Sequence, residues 1–135
     1  MRKKIRRQSK KFKERAEDVK ALRRSLLNDH RSCMICGSMY ELACHEIAGG
    51  PLRQTFLDKP FGILILCARC NCLTVTDRAV WPQARQLALL KFLRPGWYDL
   101  EAFNWTVNPR APNRITQDEV DVYLKEFEDG VSPPK

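Results

Sequence analysis

Apolar residues recur at three- and four-residue steps early in the chain: Phe12, Ala16, Val19, Leu22 and Leu26. That spacing predicts a helix over residues 10–28, with one apolar stripe on a basic rod. The stripe carries too few large apolar side chains for a membrane-surface helix and is expected to dock on the rest of the protein. Asn28-Asp29-His30 breaks the pattern. Residues 41–47, Glu-Leu-Ala-Cys-His-Glu-Ile, read as a short strand, and Ala48-Gly49-Gly50-Pro51 as a loop. Ile63-Leu64-Ile65-Leu66 is a continuous apolar run, the mark of a strand buried on both faces.

Helical spacing returns after Trp81-Pro82, where proline suits a first turn. Ala84, Leu87, Leu90 and Leu93 form the apolar face of a helix over residues 83–93, while Arg85, Gln86 and Lys91 stay polar. Pro95-Gly96 ends it. A short helix over residues 99–107 carries Phe103 and Trp105, followed by a proline-rich loop. Thr116 and Glu119 form a capping-box signal for a last helix through Phe127, with Val120, Leu124 and Phe127 turned inward. The tail from Gly130 is expected to fray. Together these elements predict a small α+β fold in three parts. They are a basic helical arm over residues 1–29, a core over residues 30–80 and a helical C-terminal extension over residues 81–135 packed on that core.

Composition sharpens this picture through charge. The 135 residues carry a net charge of +8, with 44% apolar residues. Residues 1–24 hold 12 basic and 3 acidic residues, a net of +9, so the remaining 111 residues sum to −1. A basic arm on a nearly neutral body is the footprint of a polyanion partner. Arg6, Arg7, Lys10 and Lys11 are its candidate phosphate contacts; the plain alternative is a solubilising tail. The longest apolar run, residues 61–67, is far short of the ~20 residues that cross a membrane. The basic start leads into polar residues and not into an apolar signal segment, so the expected location is cytoplasmic and reducing.

In a reducing compartment six cysteines argue for metal or free thiols over disulfides. Cys33-Met-Ile-Cys36 and Cys67-Ala-Arg-Cys70 are two Cys-x-x-Cys pairs separated by 30 residues. Each pair forms a tight knuckle presenting two thiolates, and Zn²⁺ takes four ligands in a tetrahedron. Gly37 suits the sharp turn of the first knuckle. These four cysteines are the expected structural zinc site. Cys44 and Cys72 are left over, either as small buried hydrophobes or as an extension of a metal site.

The order is knuckle, strand with His45, long loop, apolar strand, second knuckle, and a helix expected from Asn71. It resembles the HNH endonucleases, ββα-metal nucleases with a zinc-stabilised core. The resemblance rests on Cys33-x-x-Cys36-Gly37, His45-Glu46-Ile47, the Gly49-Gly50 loop, and the run from Ile63 through Cys67-x-x-Cys70-Asn71. It covers residues 30–75, about a third of the chain. It implies a metal-dependent endonuclease that hydrolyses DNA phosphodiesters with one catalytic divalent ion, Mg²⁺ or Mn²⁺. His45 falls in the place of the first metal ligand, Glu46 in that of the general base, and Asn71 in that of the final ligand. The family's middle Asn stands five residues before Cys67, where this chain has Gly62. His45 and Glu46 are therefore expected at the site together, their roles unassigned. Arg53, in the Gly-Gly loop, and Arg69, inside the second knuckle, are candidate phosphate contacts; each is otherwise an ordinary solvated arginine. Two rival readings stand beside the nuclease. One is a non-catalytic zinc module that binds DNA or RNA. The other is a docking scaffold in a larger phage or bacterial complex.

Overall fold

A computed structural model describes residues 10–130, with the side chains of Lys10 and Phe12 left aside. Helix α1 spans Lys10–Asp29. On the expected stripe Leu26 is buried, and Ala16, Val19 and Leu22 are half-buried, while most of the remaining helix surface is exposed. The helix stops where His30 N–H closes the last turn on Leu26 O. Arg94 then holds that end, donating to Asp29 O and, over 3.0 Å, to His30 Nδ1. A guanidinium at a helix C-terminus satisfies carbonyls that lack intrahelical partners.

The sheet has two antiparallel strands, β1 (Leu42–Glu46) and β2 (Ile63–Cys67), paired from Leu42↔Cys67 to Glu46↔Ile63. All five β2 residues are buried, as the unbroken apolar run predicts. Strand β1 alternates. Cys44 and Glu46 face α1, where Arg23 bonds both residues, and His45 faces the opposite side. A strand reverses its side chains at each residue, so this division follows from the register alone.

The chain between the strands holds two 3₁₀ turns, Gly50–Leu52 and Pro60–Gly62. Phe56 folds inward and is fully buried, its ring centroid 6.1 Å from that of Phe61 and 5.1 Å from that of Phe103. Its ring explains Gly62. A Cβ on Gly62 would stand 2.3 Å from Phe56 Cδ1. Because Phe56 is enclosed by other rings, Gly62→Ala is expected to destabilise the fold by about 1–3 kcal/mol, and Gly62→Asn by more. Urea unfolding of both variants checks this.

The helix expected from Asn71 is replaced by a π-helical turn, Cys70–Thr74, closed by Val75 N–H on Cys70 O at 3.0 Å. The following residues resist continuation. Thr74, Val75 and Thr76 are β-branched, and the Thr76 hydroxyl bonds Cys72 O and Leu73 O, competing with the helical ladder. Asp77 then caps a turn through its bonds to the Ala79 and Val80 N–H groups.

Helix α2 (Gln83–Leu93) is buried on nearly every side, between the sheet and α4 (Gln117–Glu128). Burial extends to two residues read as polar face, Arg85 and Gln86. Arg85 lies 4.7 Å above the Trp81 ring, donates to Val80 O at 2.7 Å and meets Glu126 at 3.8 Å. Helix α3 (Leu100–Val107) buries Phe103 and leaves Trp105 exposed. Thr116 caps α4 by accepting from Glu119 N–H, as the capping box predicts. The protein is thus α+β. One continuous core joins Leu26 of α1 to Phe127 of α4 through the sheet, so arm, core and extension share an interior. Among the described residues no helix is long and apolar enough to cross a membrane.

Candidate metal centre and the His45 site

The two Cys-x-x-Cys pairs meet at one point. The sulfurs of Cys33, Cys36, Cys67 and Cys70 all lie within 4.8 Å of one another. Local geometry accounts for each pair. Gly37 takes φ +79°, which a side chain would disfavour, so the first knuckle turns back and Gly37 N–H bonds Cys33 O. Met34 N–H bonds Ile65 O, pinning that knuckle to β2. The second knuckle leaves β2 directly, and Cys70 N–H points at Cys67 Sγ, 3.5 Å away.

The cluster fits a tetrahedral dication such as zinc. At ~2.3 Å from the ion, four thiolates would stand about 3.8 Å apart; Cys36 and Cys67 are 3.6 Å apart. None of the six cysteines is in a disulfide. The electrostatics point the same way. Cys67 is drawn down to about 7 by the Cys70 N–H, helped by the neighbouring thiols. Cys70 is pushed up to about 12, by burial and then by Cys67. A dication held by the four sulfurs would favour their thiolate forms. Cys44 and Cys72 lie outside it. Cys44 is buried behind β1 with its thiol toward Arg23 O, and Cys72 is exposed.

Beside this centre the fold brings together His45, Asn71 and Gln86. His45 projects from β1 toward the π turn, and its Nδ1 stands 3.0 Å from Asn71 Oδ1. Its Nε2 stands 3.1 Å from Gln86 Oε1 on α2. Burial holds the His45 pKa below the ordinary histidine value, outweighing the Gln86 and Asn71 contacts that favour the charged ring. In the neutral ring only one nitrogen carries a proton. Two cis oxygen or nitrogen ligands of a Mg²⁺-sized ion, each ~2.1 Å from it, would be about 3.0 Å apart. The Nδ1–Oδ1 pair has that separation, which is equally that of an ordinary hydrogen bond.

Glu46 is placed elsewhere. Its carboxylate is buried on the α1 face, 3.0 Å from Arg23 Nη1 and 3.5 Å from Arg53 Nε. The two arginines come from α1 and from the loop after β1, so Glu46 ties three segments together. Arg23 also reaches Cys44 O and Leu57 O. Glu46→Ala would leave Arg23 short of its carboxylate in a half-buried position, with an expected loss of about 2 kcal/mol. Thermal unfolding of this variant beside Glu46→Gln, which retains an acceptor, checks it.

Of the proposed phosphate contacts, Arg6 and Arg7 lie outside the described residues, as does the Lys10 side chain. Lys11 is exposed on the first turn of α1, and Arg69 is exposed between Cys67 and Cys70. Arg53 is largely exposed but engaged by Glu46. Two residues at the site were not singled out in the sequence. Gln86 is fully buried. By sequence it reads as a residue of the polar face of α2. Arg78 is exposed, its Nη2 would lie 3.5 Å from a Cβ on Gly49, and its charge lowers the basicity of His45. No signal marked Arg78.

Compared with family models, curated proteins and solved structures, the chain matches none.

Proposed function

We propose that the protein is a metal-dependent endonuclease of the HNH type, a zinc-stapled ββα-metal module that hydrolyses phosphodiester bonds in DNA. The observation that carries this reading is the His45–Asn71 pair. An antiparallel strand and a cysteine knuckle bring a nitrogen and an oxygen to hydrogen-bond distance, 3.0 Å, a spacing that two cis ligands of a small divalent ion share. A Mg²⁺ or Mn²⁺ ion held there would supply Lewis-acid polarisation of the scissile phosphate and stabilise the departing oxygen. Zinc in the four-cysteine cluster is the structural ion, fixing the knuckle from which Asn71 extends.

The chain's own residues have separate tasks. Asn71 and His45 hold the divalent ion, and the short π turn keeps Asn71 next to the strand. Glu46, committed to Arg23 and Arg53, anchors α1 to the loop after β1. Arg78 and Arg69 are exposed cations able to bind phosphate oxygens. The basic arm adds affinity that carries no sequence information and weakens with salt.

The second reading is a non-catalytic zinc module that binds nucleic acid, DNA or RNA. One observation favours it: the carboxylate in the base place is held by two arginines, away from His45. Supercoiled plasmid separates the two. Nicking or linearisation that requires Mg²⁺ or Mn²⁺ supports the nuclease. Salt-sensitive binding without any cleavage supports the binding module.

A further inference from the structure

We propose that Gln86 is the positioning residue of the His45–Asn71 site, holding the His45 ring in the tautomer with its proton on Nε2, so that Nδ1 is the nitrogen offered to the divalent ion. This rests on the reading above, which places that ion at His45 and Asn71.

The direction of each hydrogen bond follows from the partner beyond it. Gln86 Nε2 donates to Trp81 O over 3.0 Å. A backbone carbonyl can only accept, so the amide group of Gln86 must face Trp81 and its oxygen must face His45. That oxygen also can only accept. The proton between Gln86 Oε1 and His45 Nε2, 3.1 Å apart, therefore belongs to the imidazole. A metal-ligating histidine is neutral, which leaves the lone pair on Nδ1. Asn71 Oδ1, 3.0 Å away, only accepts as well, so in the ion-free protein the Asn71 amide turns its NH₂ toward Nδ1, and its oxygen faces that side only beside an ion. Gln86 has no exposure to solvent, so water cannot readily replace it as the partner of Nε2. Outer contacts of this kind orient ligating histidines generally.

Orientation comes from a helix packed across the sheet, 41 residues further along the chain than His45. At Gly62, before β2, the Phe56 ring occupies the space of any Cβ, at 2.3 Å.

The test is the tautomer itself, read from long-range ¹H–¹⁵N spectra of zinc-loaded, ¹⁵N-labelled protein. The chain has two histidines, and the signals absent in His45→Ala identify those of His45. The expected result is a protonated Nε2 and an unprotonated Nδ1 in the wild type, with mixed tautomers in Gln86→Met. The Mn²⁺ affinity of Gln86→Met is expected to fall about 10–100-fold. A proton on Nδ1 in the wild type, or an unchanged tautomer in Gln86→Met, would overturn the proposal. The wild-type spectrum decides even where the variant fails to fold. Wild-type protein that binds no Mn²⁺ while keeping its proton on Nε2 would instead remove the divalent-ion reading and leave the role of Gln86 in holding the ring.

Discussion

Replacing Cys70 with Ser is expected to unfold the protein and abolish binding of zinc at the four-cysteine cluster. The cluster places four sulfurs within 4.8 Å of one another, and three of the four cysteines are buried. A structural zinc contributes ~10–16 kcal/mol of apparent binding free energy in small domains, comparable with or larger than a whole domain's ~5–15 kcal/mol stability. Among the described residues the sheet has only two strands, too few to stand alone. Both knuckles are joined to that sheet, one through Met34 N–H on Ile65 O and the other as the continuation of β2. Loss of a ligand therefore reaches the centre of the core. Serine at position 70 supplies a hard hydroxyl in place of a thiolate that zinc prefers. Cys36→Ser is expected to act in the same direction, although its thiol is exposed. Zinc content by atomic absorption and helicity by circular dichroism read the two effects together. A variant that stays folded with one zinc per chain would remove Cys70 from the site.

The second large effect is expected for His45→Ala. On the proposed reading, DNA cleavage should fall by about 10²–10³-fold, the scale of losing one group that stabilises transition-state charge. Fold and DNA binding should survive. His45 is half-buried, and the basic arm, Arg69 and the cysteine cluster remain in place. The cost to stability is that of leaving the buried Gln86 oxygen without its donor, about 1–3 kcal/mol. Unchanged helicity and unchanged affinity for duplex DNA, with cleavage lost, would be the signature of a ligand residue. Equal losses of binding and cleavage would instead mark His45 as a structural residue.

Much of the architecture could be read in the chain because it is encoded locally. The α1 stripe, the apolar run of β2 and the Thr116 capping box each depend on residues a few positions apart, and each forms where expected. The four cysteines were legible for a different reason: their spacing is a statement about one ion, and the fold need only bring two knuckles together. What could not be read depends on distant partners. Glu46 neighbours His45 in sequence, yet strand alternation sends its carboxylate to Arg23, 23 residues earlier. Gln86 belongs to the polar half of α2 by composition but is enclosed because α2 is covered by both the sheet and α4. The π turn after Cys70 reflects a local competition, won by β-branched residues and the Thr76 hydroxyl over the expected helix.

These placements also divide the labour of the site differently from the simple order of residues. His45 and Asn71 converge, whereas Glu46 joins helix, strand and loop. The reading therefore assigns hydrolysis to an ion held by His45 and Asn71, with Glu46 acting on the frame around it.

The most direct measurement is a time course on supercoiled plasmid with zinc-loaded protein freed of other divalent ions, followed by addition of Mn²⁺ or Mg²⁺, with His45→Ala run in parallel. The account predicts intact plasmid before the addition, nicked or linear plasmid after it, and intact plasmid throughout with the variant. Wild-type protein that binds plasmid but never cuts it in either ion, or a His45→Ala variant that cuts as fast as wild type, would contradict it.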